Sequence, residues 1–270
     1  MALDQQLLEI ALKKGRKSNY LPFSLHIFES VSSTNQILWD LLNQGAESGS
    51  VVIATQQTAG RGQWGRQWIS TTGGLYLSVA IAPKLEATAS YQLTLATAWG
   101  IASQLRQCGV SVGIKWPNDL VLNNRKLGGI LTETKVNNGC ITQAVIGVGI
   151  NWSNPVPETG INLELWQASQ ASKSISCLEM LTSTVLLGIE SGMQCLCQEG
   201  VSILLSRYCD LLTNMGHRVC VNNHSGIVVG VTDQGNLRLK MVIDNTNELA
   251  TPEISVEPGI ISLGYSKTSV

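Results

Sequence analysis

The chain has 270 residues, of which 44% are hydrophobic, and its mean hydropathy is +0.13, enough to bury the core of one large domain or of a large one plus a small one. With 18 Lys and Arg against 19 Asp and Glu, the formal net charge of -1 supplies no bulk attraction to nucleic acid or to an anionic membrane. Seven cysteines at irregular positions and three scattered histidines, His26, His217 and His224, match no zinc or redox spacing, so free thiols, a reducing cytoplasmic setting and no protein-built metal site are expected.

Residues 2–12 repeat apolar positions at helical spacing, and 13–19 form a polar connector. This opening carries Asp4, Glu9, Lys13, Lys14, Arg16 and Lys17 and lacks the apolar run of a secretory signal; no segment reads as apolar for long enough to span a bilayer. A strand is expected at 24–28. A helix should follow over 34–42, because Ser32 or Ser33 can cap it and Ile37, Leu38, Leu41 and Leu42 recur on one face. Residues 51–55 suit a buried strand, 75–81 alternate as another, and 91–108 have the length and period of a core helix. An antiparallel meander is expected at 112–116, 120–122, 129–136 and 140–148, with Asn123-Asn124 and Asn137-Asn138-Gly139 as turns that tolerate positive φ. Residues 151–174 read as loop, and helical spacing returns over 178–196 and 203–212. Short runs at 218–221, 227–231 and 237–241, separated by turn residues, mark a small β-barrel or sandwich. The pattern is α+β, a mixed and largely antiparallel sheet flanked by helices: a helix and connector over 1–23, a main domain over 24–214, and a small β domain over 215–270.

Gly60-Arg61-Gly62-Gln63-Trp64-Gly65 satisfies the G-x-G-x-x-G dinucleotide pattern and follows a strand. Its context fails, because residues 66–74 lead into another strand without an amphipathic helix, and Glu86 lies outside any βαβ unit. The loop still offers flexible backbone, guanidinium groups at Arg61 and Arg66, and the aromatics Trp64 and Trp68. Backbone N–H groups and forked donors suit phosphate or carboxylate oxygens, and tryptophans can close over a reactive ligand. Taken alone, the segment fits a surface loop with its tryptophans packed on the body about as well.

Four further segments decide between these readings. Ser32-Ser33-Thr34-Asn35 stands at a helix start, Lys115-Trp116-Pro117-Asn118-Asp119 between two strands, Lys126-Leu127-Gly128-Gly129-Ile130 at a strand's opening, and Gly147-Val148-Gly149-Ile150-Asn151 at a strand's end. Each has an ordinary use: Ser33 or Thr34 as a helix cap, Pro117-Asn118-Asp119 as a turn, Lys126 as a solvated charge, and Gly128, Gly129, Gly147 and Gly149 as close-packing positions. Five separate coincidences at these spacings are a poor account. In this order the segments resemble the catalytic domain of the biotin–protein ligase family, with its GRGR-type loop, KWPND, K-L-[AG]-G-I and G-x-G-I-N, from about Ser24 to Val256. The form resembled lacks the N-terminal DNA-binding domain.

The resemblance implies a class II synthetase-like catalytic domain with a small SH3-like β-barrel. It also implies an ATP-dependent, AMP-forming activation of biotin to biotinyl-5'-AMP, with Mg²⁺ on the nucleotide, followed by transfer to a lysine of a biotin carboxyl carrier protein of acetyl-CoA carboxylase. By that resemblance Lys126 and Arg61 are the catalytic cations where the biotin carboxylate meets the α-phosphate, and both contact biotin. Ser33, Thr34, Asn35 and Gln57 are neutral partners for the ureido group, with Gly60, Gly62, Gln63, Gly129 and Gly147 completing the biotin pocket. Arg66, Trp68, Lys115, Asn118, Asp119 and Asn151 fall to the ATP and adenylate side. Loop 60–68 is expected to fold over the mixed anhydride and exclude water. The implied protein is a monomer or homodimer that binds neither nucleic acid nor membrane. Two positions depart from the family: Gln63 stands where a second loop arginine is usual, and Glu257 replaces a basic residue that some members direct at the phosphates. Among the alternatives, a lipoate or other acyl ligase of the same superfold would not need the ureido set. A repressor would need a winged helix, for which the stretch before Ser24 is short. A non-catalytic biotin-binding module would not need Arg61 and Lys126.

Overall fold

The computed structural model describes residues 3–16, 20–171, 173–242 and 252–265. Helix α1 (Gln5–Gly15) starts at Asp4, whose carboxylate accepts the Leu7 N–H at 3.1 Å. Then come β1 (Ser24–Val31), α2 (Thr34–Asn43), β2 (Ser50–Gln57), β3 (Leu75–Ile81), α3 (Ser90–Gln107), β4 (Gly113–Lys115), β5 (Asp119–Leu122), β6 (Arg125–Asn137) and β7 (Cys140–Ile150). Helices α4 (Leu163–Ala168), α5 (Leu178–Gln194) and α6 (Val201–Asp210) follow, then β8 (Arg218–Val221), β9 (His224–Val231), β10 (Leu237–Met241) and β11 (Glu253–Val256). Seven strands form one sheet in the order β1-β2-β3-β7-β6-β5-β4, parallel only between β1 and β2; the other four form an antiparallel sheet in the order β11-β10-β9-β8. This is the α+β architecture that the pattern implied.

Alternation along the strands sorts side chains to two faces. Val51 and Ile53 of β2, Leu75, Leu77 and Val79 of β3, and Ile146, Val148 and Ile150 of β7 join residues of α1, α3 and α5 in the main core. The intervening Val52, Ala80 and Val145 pack with Leu38 and Leu42 of α2 on the opposite face. Helices α3 and α5 meet backbone to backbone, because a Cβ on Gly188 would stand 2.6 Å from Ile101 Cα and one on Gly100 would stand 2.0 Å from the Gly188 carbonyl oxygen. Helix α1 is fastened to α5 by buried Leu8 and Leu12 and by Arg16, which pairs with Glu190 at 2.9 Å; Glu190 also accepts the Leu21 N–H at 2.9 Å.

The structure corrects the sequence expectation in several places. Helix α1 runs through Gly15, since Lys13 and Lys14 suit the negative end of a helix dipole; residues 1–2 and 17–19 of the predicted helix and connector lie outside the described residues. The segment expected as loop holds α4, six residues long and too short to display a period, with Asn162 capping the Leu165 N–H at 2.9 Å. Helix α5 continues as one π turn over Cys195–Glu199. Together, Leu178–Glu199 are 22 residues, and an 18-residue window within them has a mean hydropathy of 1.2, long and apolar enough to span a bilayer by composition, but 78% of that window is buried inside the protein. Strand β9 starts at His224, three residues before its predicted start. Val228, Leu237, Leu239 and Val256 of the small sheet join the main core, and the Trp116 indole donates to the Gly235 carbonyl at 2.9 Å, so the small sheet is seated against the turn after β4. Residues 243–251 and 266–270 of the predicted small domain lie outside the described residues.

Candidate functional site

A cavity of about 360 Å³ opens between the start of α2 and the strands β6 and β7. Its floor is bare because Gly129, Gly147 and Gly149 have no side chains to fill it. A Cβ on Gly147 would stand 2.3 Å from Asn35 Oδ1, and one on Gly149 would stand 2.5 Å from Trp68 Nε1. Both collisions would fall on groups that line the cavity, so only glycine permits this closeness.

Neutral polar groups form a linked chain around one end. The Ser78 hydroxyl donates to Asn35 Oδ1 at 2.6 Å and lies 2.8 Å from Thr34 Oγ1. The Thr34 N–H and hydroxyl donate to Gln57 Oε1 at 2.8 and 3.2 Å, and Gln57 Nε2 donates to Ser70 Oγ at 2.8 Å. Ser33 is the N-cap of α2 yet makes no side-chain cap hydrogen bond, and it lines the cavity with Thr34 and Asn35. All three are nearly fully buried, so their polar atoms are held in fixed positions rather than solvated. Glu133 on β6 closes the chain: its Oε2 accepts from Asn35 Nδ2 at 2.8 Å, Trp39 Nε1 at 3.2 Å and Arg61 at 3.1 Å.

The glycine-bearing loop stands as a flap beside this chain. The Gly62 N–H bonds to the Arg66 carbonyl at 2.7 Å and the Trp68 N–H to the Gly60 carbonyl at 3.0 Å, with a tight turn over Gln63–Gly65 between them. Trp64 at the tip is 60% exposed. Trp68 turns inward, with Lys126 Nζ 5.2 Å from its ring centroid, and its indole N–H is buried with no hydrogen-bond partner among the described residues.

Charge gathers at the other end, where the turn between β4 and β5 meets the opening of β6. Lys126 Nζ lies 2.6 Å from Asp119 Oδ1, and Arg66 and Lys115 line the same recess. Burial holds the Lys115 ammonium below the usual lysine value; Asp119 opposes that shift while Lys126 and Arg66 add to it. Asn118 is fixed by donating to the Ile130 carbonyl at 2.8 Å. Three cations around one carboxylate leave the recess positive, a setting for an anionic ligand.

Of the residues singled out from sequence, Ser33, Thr34, Asn35, Gln57, Arg61, Gly62, Gln63, Arg66, Trp68, Lys115, Asn118, Asp119, Lys126, Gly129 and Gly147 all line this cavity. Gly60 and Asn151 are set behind it. Gly60 sits under the flap's base, where a Cβ would stand 2.4 Å from the Trp68 carbonyl oxygen, and the Asn151 amide donates to the Lys126 carbonyl at 3.3 Å. The sequence reasoning missed Glu133, Ser78 and the segment 259–265. A serine inside the apolar run LYLSVAI was a usable signal for Ser78; Glu133 and Tyr265 had none.

The family model for the biotin/lipoate A/B protein ligase family matches residues 27–151. The chain is 33% identical over 223 residues to the bifunctional ligase/repressor BirA of Escherichia coli, covering 80% of this chain and 69% of that protein. It is 33% identical over 122 residues to a biotin–[acetyl-CoA-carboxylase] ligase of Paracoccus denitrificans, covering 44% of this chain and 50% of that one. The solved biotin protein ligase of Aquifex aeolicus, in complex with biotin and ATP, superposes with a TM-score of 0.71 at 23% identity, over 90% of this chain and 99% of that one, a likeness of fold.

Proposed function

This chain belongs to the biotin–protein ligase family, and from that we propose that it joins biotin to ATP as biotinyl-5'-AMP and passes the biotinyl group to a lysine of a biotin carboxyl carrier protein. The observation that carries this reading is one cavity with a fixed chain of neutral donors and acceptors at one end and Lys126, Lys115 and Arg66 at the other. A ureido group is neutral and both gives and accepts hydrogen bonds, so Ser33, Thr34, Asn35 and Gln57 suit it better than charged groups would. The bare strip of Gly129 and Gly147 leaves room for the ring system and its acyl chain.

Two anions must then meet. The biotin carboxylate oxygen attacks the α-phosphorus of ATP, a C–O–P link forms, the bond to the β-phosphate oxygen breaks, and pyrophosphate leaves. Lys126 exchanges its pairing with Asp119 for the ligand oxygens, and Arg61 approaches from the flap; their fixed charge counts most where negative charge accumulates. Arg66, Lys115, Asn118 and Asp119 hold the nucleotide end, and Asn151 positions Lys126 through its carbonyl. Mg²⁺ comes with the triphosphate and neutralises part of its charge; among the described residues no group of three His, Cys, Asp or Glu side chains could hold a metal ion. In the second step an uncharged carrier lysine attacks the acyl carbon, the C–N bond forms, and AMP departs with the anhydride oxygen. The flap residues Gly60, Gly62, Gln63 and Trp68 shield the anhydride from water in the interval. All seven cysteines are unpaired, which suits a reducing compartment, and we place the protein in the cytoplasm.

Incubation with ATP, Mg²⁺ and either biotin or lipoate, read by mass spectrometry, tests the assignment. Biotinyl-AMP is expected from the unmodified protein, with Lys126→Ala slower by about 100-fold or more, as for removal of one fixed donor to a developing anion. Formation of lipoyl-AMP alone would move the protein to the lipoate branch of the family, and formation of neither would remove the catalytic reading.

A further inference from the structure

Residues 258–265 leave the last strand of the small sheet and run along the mouth of the cavity, where Gly259, Ile260, Ile261, Ser262 and Leu263 form part of the wall. The path is anchored, because Ile261 and Leu263 pack on the main core and a Cβ on Gly259 would stand 2.8 Å from the Trp64 indole at the flap's tip. At its end Tyr265 lies over the cationic recess. Lys115 Nζ is 3.5 Å from the centroid of its ring, and its hydroxyl donates to Asp119 Oδ2 while Asp119 Oδ1 holds Lys126. Burial, and then the charge of Asp119, push the phenol well above its usual range, so it stays a donor at any working pH.

These contacts use the groups a nucleotide would need. With its ring against the Lys115 ammonium and its hydroxyl on Asp119, Tyr265 occupies the space that a nucleotide group would have to enter to reach either of them. The negative face of the phenol ring takes the place of an anion in this recess.

We propose that Tyr265 is a built-in competitor of the nucleotide: the strap 258–265 seats it on Lys115 and Asp119, and ATP gains its subsite only from the fraction of molecules in which the strap has lifted. This rests on the assignment of Lys115 and Asp119 to the nucleotide made above. The apparent affinity is the intrinsic one reduced by the open fraction. A strap seated about nine-tenths of the time therefore weakens ATP about ten-fold.

The test is calorimetric titration of α,β-methylene-ATP with Mg²⁺ into protein saturated with biotin, for the unmodified chain, Tyr265→Phe and Tyr265→Ala, with hydrogen exchange of the peptide around 258–265. Biotin titration of each variant checks that it is folded. Tyr265→Ala should bind the nucleotide about ten-fold more tightly, with Tyr265→Phe between the two because it keeps the ring but loses the bond to Asp119. The nucleotide should also speed exchange in the strap of the unmodified chain. Unchanged or weaker binding by Tyr265→Ala, or slower exchange in the strap with nucleotide, overturns the proposal and makes Tyr265 a wall of the subsite or a bystander. Binding to Tyr265→Ala alone supports it most directly. If biotin binds but none of the three proteins takes the nucleotide, the subsite assignment and the proposed function fall together.

Discussion

Glu133 Oε2 is shared by the side chains of Asn35, Trp39 and Arg61, and the sharing sets two effects against each other when the charge is removed. Freeing Arg61 gives it to a ligand carboxylate, but that pair is 42% and 28% exposed and such pairs are worth about 0–1 kcal/mol. Asn35 is 3% exposed, and its bond to a charged acceptor is worth about 1.5–3 kcal/mol. The buried side wins. Glu133→Gln should weaken biotin binding by about ten-fold in calorimetric titration, and tighter binding would show that Arg61 had been withheld by its partner. At this scale the motif segments were legible because their chemistry is local: Lys115 to Asp119 and Lys126 to Ile130 each supply several cavity residues from a few consecutive positions. What escaped was set by distance along the chain. Glu133 meets Asn35 across 98 positions, Ser78 meets Asn35 across 43, and Tyr265 meets Asp119 across 146, and no short pattern encodes a partner so far away.

Among the elements, α3 and α5 meet backbone to backbone, and Gly188 is where a change would be felt. An alanine there gains about 1 kcal/mol of helix propensity but brings a Cβ to 2.6 Å from Ile101 Cα, a backbone atom that cannot turn aside. Overpacking of that kind costs about 1–3 kcal/mol, and the rigid neighbour puts it at the upper end. Gly188→Ala should therefore lower stability by about 2 kcal/mol in urea unfolding; an unchanged midpoint would mean that the helices have room to part. Strands β3, β8 and β10 were legible to the residue because alternation or bounding turns mark both ends. Helix α4 and the π turn after α5 were not, since six residues do not establish a period and a π turn leaves the apolar pattern unbroken.

Across the whole molecule, the N-terminal helix is held by a buried charge. Glu190 is 3% exposed and is neutralised by Arg16, so Arg16→Met would leave a carboxylate in the core with, among the described residues, the Leu21 N–H as its remaining partner. Stranding one member of such a pair costs about 3–5 kcal/mol; with the Arg16 side chain 20% exposed, about 3 kcal/mol is expected in urea unfolding. Adding Glu190→Gln should restore about half of it, and if it restores none, the loss comes from packing of the arginine stem. Global arrangement was the least legible scale, because the position of β7 between β3 and β6 follows from long-range pairing and not from any local pattern. That strand order has a consequence for how the chain is made. Strand β3 finishes at Ile81, but the residue it must lie beside is Ala144 of β7, so on a ribosome extending the chain at about 5–20 residues per second one flank of β3 stays open for several seconds. An open apolar strand is a template for any strand that reaches it first. The most hazardous moment for this protein therefore comes during its own synthesis, before β7 has delivered Gly147 and Gly149 to the cavity floor.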